Sequence, residues 1–198
     1  MPSAETLRTF VALPLHDTAL IERLVSVQRR LQRECPYHTV RWVDSKAIHL
    51  TLFFLGDIIA PRRAPIETAL KVVADVVRPF EFQVKGLGVF PSSRRPKIIW
   101  AGVHEPTGQL KLLHRAVNEA LEHVGFEPDS RRFKPHMTLG RIRRRVTRAD
   151  AAIIGHIIER TDLEVWGEDT AREIVFFQSV LTPQGAEYTA LARFPLGG

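Results

Sequence analysis

The chain is poor in several things, and each shortage narrows what it can be. It has one cysteine, Cys35, in 198 residues. An internal disulfide framework and a cysteine-built zinc site are therefore excluded. No apolar run approaches the roughly 20 residues that a membrane-spanning helix needs. The opening stretch MPSAETLRTFVALPL carries Glu5 early and no basic run, so no secretory signal is read there. A reducing, cytoplasmic setting is expected. Acidic residues are missing altogether from two segments. Residues 131–148 hold Arg131, Arg132, Lys134, Arg141, Arg143, Arg144, Arg145 and Arg148, and residues 94–97 hold Arg94, Arg95 and Lys97. The net charge is +6, so removing these eleven cations leaves the rest of the chain mildly acidic. A basic region concentrated in this way suggests a polyanionic partner such as RNA or another phosphate-bearing ligand.

What remains is the composition of an ordinary globular protein, 44% hydrophobic and 25% charged. Its length suits a single domain with its own core, expected over 1–198 as one unit made of two pseudo-symmetric lobes. Periodicity gives the elements. Strand character marks 7–13, 39–44, 48–56, 80–90, 97–103, 136–142 and three segments after residue 163. Helical spacing marks 17–35, 64–78, 108–125 and 147–161, with Asp17 and Thr147 as N-caps and Gly125 at a C-terminal cap. Strands paired through short turns argue for an α+β fold: two antiparallel-sheet lobes, helices on the outer faces, a cleft between.

One tetrapeptide pattern occurs twice. HLTL begins at His49 and HMTL begins at His136. With eight His, 13 Thr and 20 Leu in 198 residues, random order would give roughly 0.05 copies. On a strand, residues two apart share a face. His49 therefore points with Thr51, and His136 with Thr138, while Leu50, Leu52, Met137 and Leu139 turn to apolar packing. An imidazole beside a hydroxyl suits phosphate chemistry. Histidine's reference pKa near 6.5 lets one copy give a proton while the other takes one. Counting by twos from His136 reaches Thr138 and Gly140. Arg141 joins that face only if a bulge near Gly140 reverses the alternation. No carboxylate lies within the motifs to complete a metal-ligand set, so neither metal nor cofactor is expected. Phe53 or Phe54, Phe90 and Phe133 are candidates for stacking on a base.

The motifs resemble those of the two-histidine (2H) phosphoesterases, and within them the RNA 2′,3′-cyclic phosphodiesterases, historically called 2′-5′ RNA ligases. RTFVALPL, HLTLFFLGD, GVFPSSRRPKIIWAGV, RRFKPHMTLGR and QSVLTPQGAEYTALARFPL are similar to that family's blocks and stand in its order. The resemblance implies a bilobal fold with a positively charged central cleft, and hydrolysis of a terminal RNA 2′,3′-cyclic phosphate to a 2′-phosphate. It implies His49 as general acid and His136 as general base, Thr51 and Thr138 holding the phosphate, and Arg141 as a further phosphate ligand. The implied partners are RNA ends or nucleotides bearing a cyclic phosphate, bound by a monomer with no membrane contact. A non-catalytic module that holds RNA ends, a 2′-5′ RNA ligase, and a substrate change to 2′-5′-linked oligonucleotides or a cyclic phosphate of ADP-ribose are the alternatives.

Overall fold

The computed structural model describes residues 6–128, 132–161, 165–182 and 185–197. Arg131 and part of the turn at 182–185 lie outside them. Nine strands and four α-helices follow one another as β1 (Thr6–Pro14), α1 (Thr18–Glu34), β2 (Val40–Trp42), β3 (His49–Ile59), α2 (Arg63–Val76), β4 (Phe80–Phe90), β5 (Ile98–His104), α3 (Gln109–His123), β6 (His136–Ile142), α4 (Arg148–Arg160), β7 (Val165–Ala171), β8 (Glu173–Leu181) and β9 (Ala186–Pro195). A 3₁₀ turn, Ser45–Ala47, leads into β3.

Local chemistry accounts for the helix ends. The Asp17 carboxylate accepts the Leu20 N–H at 2.6 Å, and the Thr147 hydroxyl accepts that of Asp150 at 3.1 Å, each satisfying an orphan donor of the first turn. Helix α3 stops at Gly125, whose φ of 84° suits glycine. There the Phe126 N–H reaches the Leu121 carbonyl and the Gly125 N–H reaches that of Glu122, the paired bonds of a Schellman end.

The strands form one antiparallel sheet in the order β7-β4-β5-β6-β3-β1-β8-β9, with β2 on the side of β6. The two expected lobes are halves of this single sheet. One half holds β4 to β7 with β2, backed by α1 and α4. The other holds β1, β3, β8 and β9, backed by α2 and α3. They meet between β3 and β6 at the single register pair Leu50↔Met137. Beyond it β2 takes over the edge of β6, pairing Val40 to Trp42 with Ile142 to Gly140. The chain passes repeatedly from one half to the other, so neither half is a contiguous segment. Leu50, Met137 and Leu139 are fully buried under the helices, and Leu52 nearly so. His49, Thr51, His136 and Thr138, which alternate with them, face the opposite side, where the halves open onto a cleft. Among the described residues no helix is long and apolar enough to cross a membrane.

Candidate active site

The two motif strands repeat each other residue by residue. From His49 to Phe54 and from His136 to Arg141 the alternation is the same: half-buried, buried, half-buried, buried, buried, exposed. Two successive buried residues break the two-residue period. The cause is a bulge at the same place in each strand. On β3, Thr51 pairs with Ala12 and Phe53 with Val11, which leaves Leu52 as the extra residue. On β6, Thr138 pairs with Trp100 and Gly140 with Ile99, which leaves Leu139 extra. A bulge re-aims every residue after it. It returns Arg141 to the face of His136 and Thr138, as the sequence required for Arg141 to join them.

The register at Leu50↔Met137 fixes the motifs against each other. Continued by one residue each way, it sets His49 across from Thr138 and His136 across from Thr51. Each imidazole is then held in the same manner. His49 Nδ1 donates to the Ala47 carbonyl at 2.8 Å, and His136 Nδ1 donates to the Lys134 carbonyl at 2.7 Å. A carbonyl can only accept, so both neutral rings carry their proton on Nδ1 and leave Nε2 to accept or deliver one.

Their surroundings differ. The His49 ring stacks on Phe10, with centroids 4.7 Å apart, and meets Tyr188 edge-on at 5.1 Å. Burial, with added repulsion from Arg141 and His136, pushes its pKa down to about 4, against the opposing pull of the Ala47 carbonyl. His136 meets Phe90 edge-on at 4.9 Å and Trp100 at 6.1 Å. Its pKa is also lowered, by burial first and then by Arg141, while its bond to Lys134 works the other way. Arg141 thus acts on both imidazoles. At the matching position in the other half stands Phe54, exposed, with the Arg8 guanidinium 5.0 Å above its ring. The cleft is nearly two-fold in backbone and one-sided in charge. The Thr51 and Thr138 hydroxyls have no hydrogen-bond partner among the described residues.

Of the candidate stacking residues, Phe90 stands in the cleft against His136. Phe53 is core, 6% exposed, and Phe133 is covered by His114 at 3.7 Å. Phe10, Trp100, Phe177 and Tyr188 complete the aromatic walls. Nothing in their local sequence separates them from core aromatics. Of the basic segments, Lys134 lies 5.9 Å from the Phe90 ring and Arg141 lies in the cleft. The 94–97 turn leads into Ile98, which pairs with both Phe90 and Arg141, and the Lys97 carbonyl accepts the Ile142 N–H.

The chain matches, over residues 9–196, the family model described as the AKAP7 2′5′ RNA ligase-like domain. It is 32% identical over 174 residues to an Aquifex aeolicus protein named RNA 2′,3′-cyclic phosphodiesterase, across 87% of this chain and 90% of that protein. The Archaeoglobus fulgidus protein of the same name is 32% identical over 188 residues, 95% of this chain and 99% of its own. Among solved structures, E. coli LigT complexed with 3′-AMP superimposes with a TM-score of 0.72 at 25% identity, over 98% of this chain and 100% of that one. TT0787 of Thermus thermophilus shares the fold, with a TM-score of 0.79 at 24% identity over 97% and 99%.

Proposed function

The chain belongs to the 2H phosphoesterases, with the RNA 2′,3′-cyclic phosphodiesterases, and we propose that it opens a terminal RNA 2′,3′-cyclic phosphate to a 2′-phosphate by passing protons between two histidines, without a metal. The observation that carries this reading is the matched pair of imidazoles, each tied at Nδ1 and each with Nε2 available, on strands that touch at one register pair. The interleaving of the two halves along the chain supports treating residues 1–198 as one domain.

In the reaction, Nε2 of His136 takes a proton from water as the water oxygen attacks phosphorus. The P–O3′ bond breaks, and protonated His49 delivers its Nε2 proton to the departing O3′. Each transfer is worth about 10²–10⁴-fold. The Thr51 and Thr138 hydroxyls donate to the non-bridging oxygens. Arg141 offsets the extra negative charge that builds at phosphorus in the transition state. His49, depressed to about 4, needs help to carry its proton at neutral pH. The negative charge of the bound phosphodiester supplies it, because an adjacent anion raises an imidazole's pKa.

The same depression favours a second reading, with the roles exchanged. Burial lowers His49 first, and repulsion from Arg141 and from His136 adds to it, so a proton on His136 works against one on His49. In that arrangement His136 is the acid and His49 the base.

Hydrolysis of a 2′,3′-cyclic mononucleotide, followed by NMR, tests the proposal. A 2′-phosphate product and rates indifferent to EDTA are expected. Activity lost in EDTA and restored by a divalent metal would overturn the metal-free mechanism. A 3′-phosphate product would overturn the proposed cleavage of P–O3′. His49→Ala and His136→Ala should each lower kcat by about two to four orders of magnitude.

A further inference from the structure

A groove of about 750 Å³ opens beside the histidines. One wall is the strap that ends in the 3₁₀ turn, with Arg41, Trp42 and Lys46. The other is the end of the β8–β9 hairpin, with Tyr188 and Thr189, and Arg141 faces in between them. The groove is continuous with the candidate active site. Arg141 acts on both imidazoles, Tyr188 touches the His49 ring, and the strap ends at Ala47, whose carbonyl holds His49.

Its charges are placed unusually. Strands β2 and β6 pair so that Arg41 lies directly across from Arg141. Like charges at facing positions on adjacent strands repel. Some cations of this protein find carboxylates, as in Arg30–Glu34, Arg63–Glu67, Arg115–Glu119 and Arg193–Glu173. Among the described residues Arg41, Arg141 and Lys46 have no such partner. Two acidic residues also line the groove, Asp44 and Glu187. The Asp44 carboxylate accepts the Lys46 backbone N–H at 2.9 Å and keeps its charge, and Glu187 is exposed at the hairpin. Three cations against two carboxylates leave the groove net positive, and the facing pair Arg41 and Arg141 suits two negative charges of a ligand.

An RNA end supplies two through one ribose. The nucleotide that bears the 2′,3′-cyclic phosphate also bears a phosphate on its 5′ oxygen. We infer that this groove binds the 5′ phosphate of the terminal nucleotide, with Arg41 and Lys46 as its ligands. The inference rests on the reading that the cyclic phosphate sits between His49 and His136, where Arg141 serves it. Trp42 and Tyr188 offer ring surfaces along which the intervening nucleoside lies. The protein then recognises the end of a nucleotide chain in preference to a nucleoside cyclic phosphate.

Three substrates test this: adenosine 2′,3′-cyclic phosphate with a free 5′ hydroxyl, the same nucleotide carrying a 5′-phosphate, and the adenylyl dinucleotide ending in the same cyclic phosphate. The wild-type protein should favour the second or third over the first by about tenfold or more in kcat/KM, the worth of one charge-assisted hydrogen bond. Arg41→Ala should bring that ratio towards one, through KM. The favoured substrate should also lose rate more steeply as salt rises. A preference confined to the 5′-phosphate assigns the groove to a free phosphate terminus. A preference shared by the dinucleotide assigns it to an RNA strand. Equal kcat/KM on all three overturns the inference, and so does an Arg41→Ala protein that slows all three alike. Lys46→Ala, at an exposed position, replaces Arg41→Ala if that variant fails to fold. If the wild-type protein opens none of them, the proposed reaction fails instead. Calorimetric binding of adenosine 2′,5′-bisphosphate against adenosine 2′-phosphate then decides the groove. Tighter binding of the bisphosphate that Arg41→Ala removes supports it, and equal binding overturns it.

Discussion

The side-chain amide of Gln28, on helix α1, donates to the carbonyl of Leu139, the bulged residue of β6, at 2.9 Å. The same nitrogen donates to the Val43 carbonyl at 2.8 Å, and the Val43 N–H returns to Leu139 at 2.9 Å. Gln28 is 6% exposed, the one polar residue in the buried stripe of α1. It ties together a helix, the strap that follows β2, and the bulge that turns Arg141 into the cleft. Gln28→Leu should therefore strip the part-buried Val43 carbonyl of this donor and leave Leu139 only the Val43 N–H, at about 1–3 kcal/mol. Thermal unfolding should register that loss. Activity should fall beyond what lost stability explains, because Arg141 loses its direction. A variant that melts earlier yet keeps full kcat/KM at a temperature where it is folded would show that the bulge holds without Gln28.

Arg141 lowers both histidine pKa values by its charge. Arg141→Gln should raise both, and NMR titration of the imidazole protons reads this directly. The same variant should lose about 10²–10³-fold in kcat, as when one preorganised donor to a developing negative charge is removed. Histidine titrations that do not move would place the guanidinium away from the rings in solution.

The choice between the two proton assignments can be made with an aryl phosphodiester. A nitrophenolate leaves without a proton, so the acid becomes dispensable while the base does not. With His49 as acid, His49→Ala should keep most of its activity on the aryl ester and His136→Ala should not. The opposite pattern would establish the exchanged roles.

His49 also links stability to pH. Its folded pKa of about 4 lies below the reference value of 6.5. The unfolded chain therefore binds the proton more readily, and folding loses ground as pH falls. The contribution is complete above about pH 6.5 and drains away down to about pH 4, amounting to at most about 3 kcal/mol. His49→Gln should flatten the acid limb of stability against pH. Inorganic phosphate, which favours the charged ring, should bind with uptake of protons, seen as a buffer-dependent heat in calorimetry. Binding heats that do not depend on the buffer would count against proton uptake.

Gly88 lies under the Trp100 indole so closely that a β-carbon there would stand 2.1 Å from the ring. Gly88→Ala should displace Trp100, and with it the wall that Trp100 and Phe90 present to His136. Overpacking of this kind costs about 1–3 kcal/mol, and the activity loss should track the tryptophan's changed fluorescence. Unchanged emission together with full activity would mean that the sheet yields locally instead.

Much of this protein was legible in its residues. The helices at α1 and α4 carry their caps in sequence, Asp17 and Thr147, because an N-cap bond spans only three residues. The strand placing of both motifs, and the shared face of each histidine with its threonine, follow from a period of two, which needs no tertiary information. The repeat itself proposed the site. That His49 and His136 meet was an expectation drawn from the repeat, since 87 residues of chain separate them and no local rule joins distant strands.

Tertiary structure decided the rest. One register pair, Leu50↔Met137, brings the motifs together, and it joins halves of one sheet where the periodicity suggested separate sheets. A bulge is a disagreement between two strands, so the turn of Arg141 into the cleft depends on β5 as much as on β6. The aromatic walls come from strands remote in sequence, Phe10 on one side and Trp100 on the other. Arg41 sits outside both basic segments and gained its place only when β2 paired with β6. Sequence sets which side chains are able to handle a phosphate and a proton. Register, the count of residues between facing strands, sets which of them face it together.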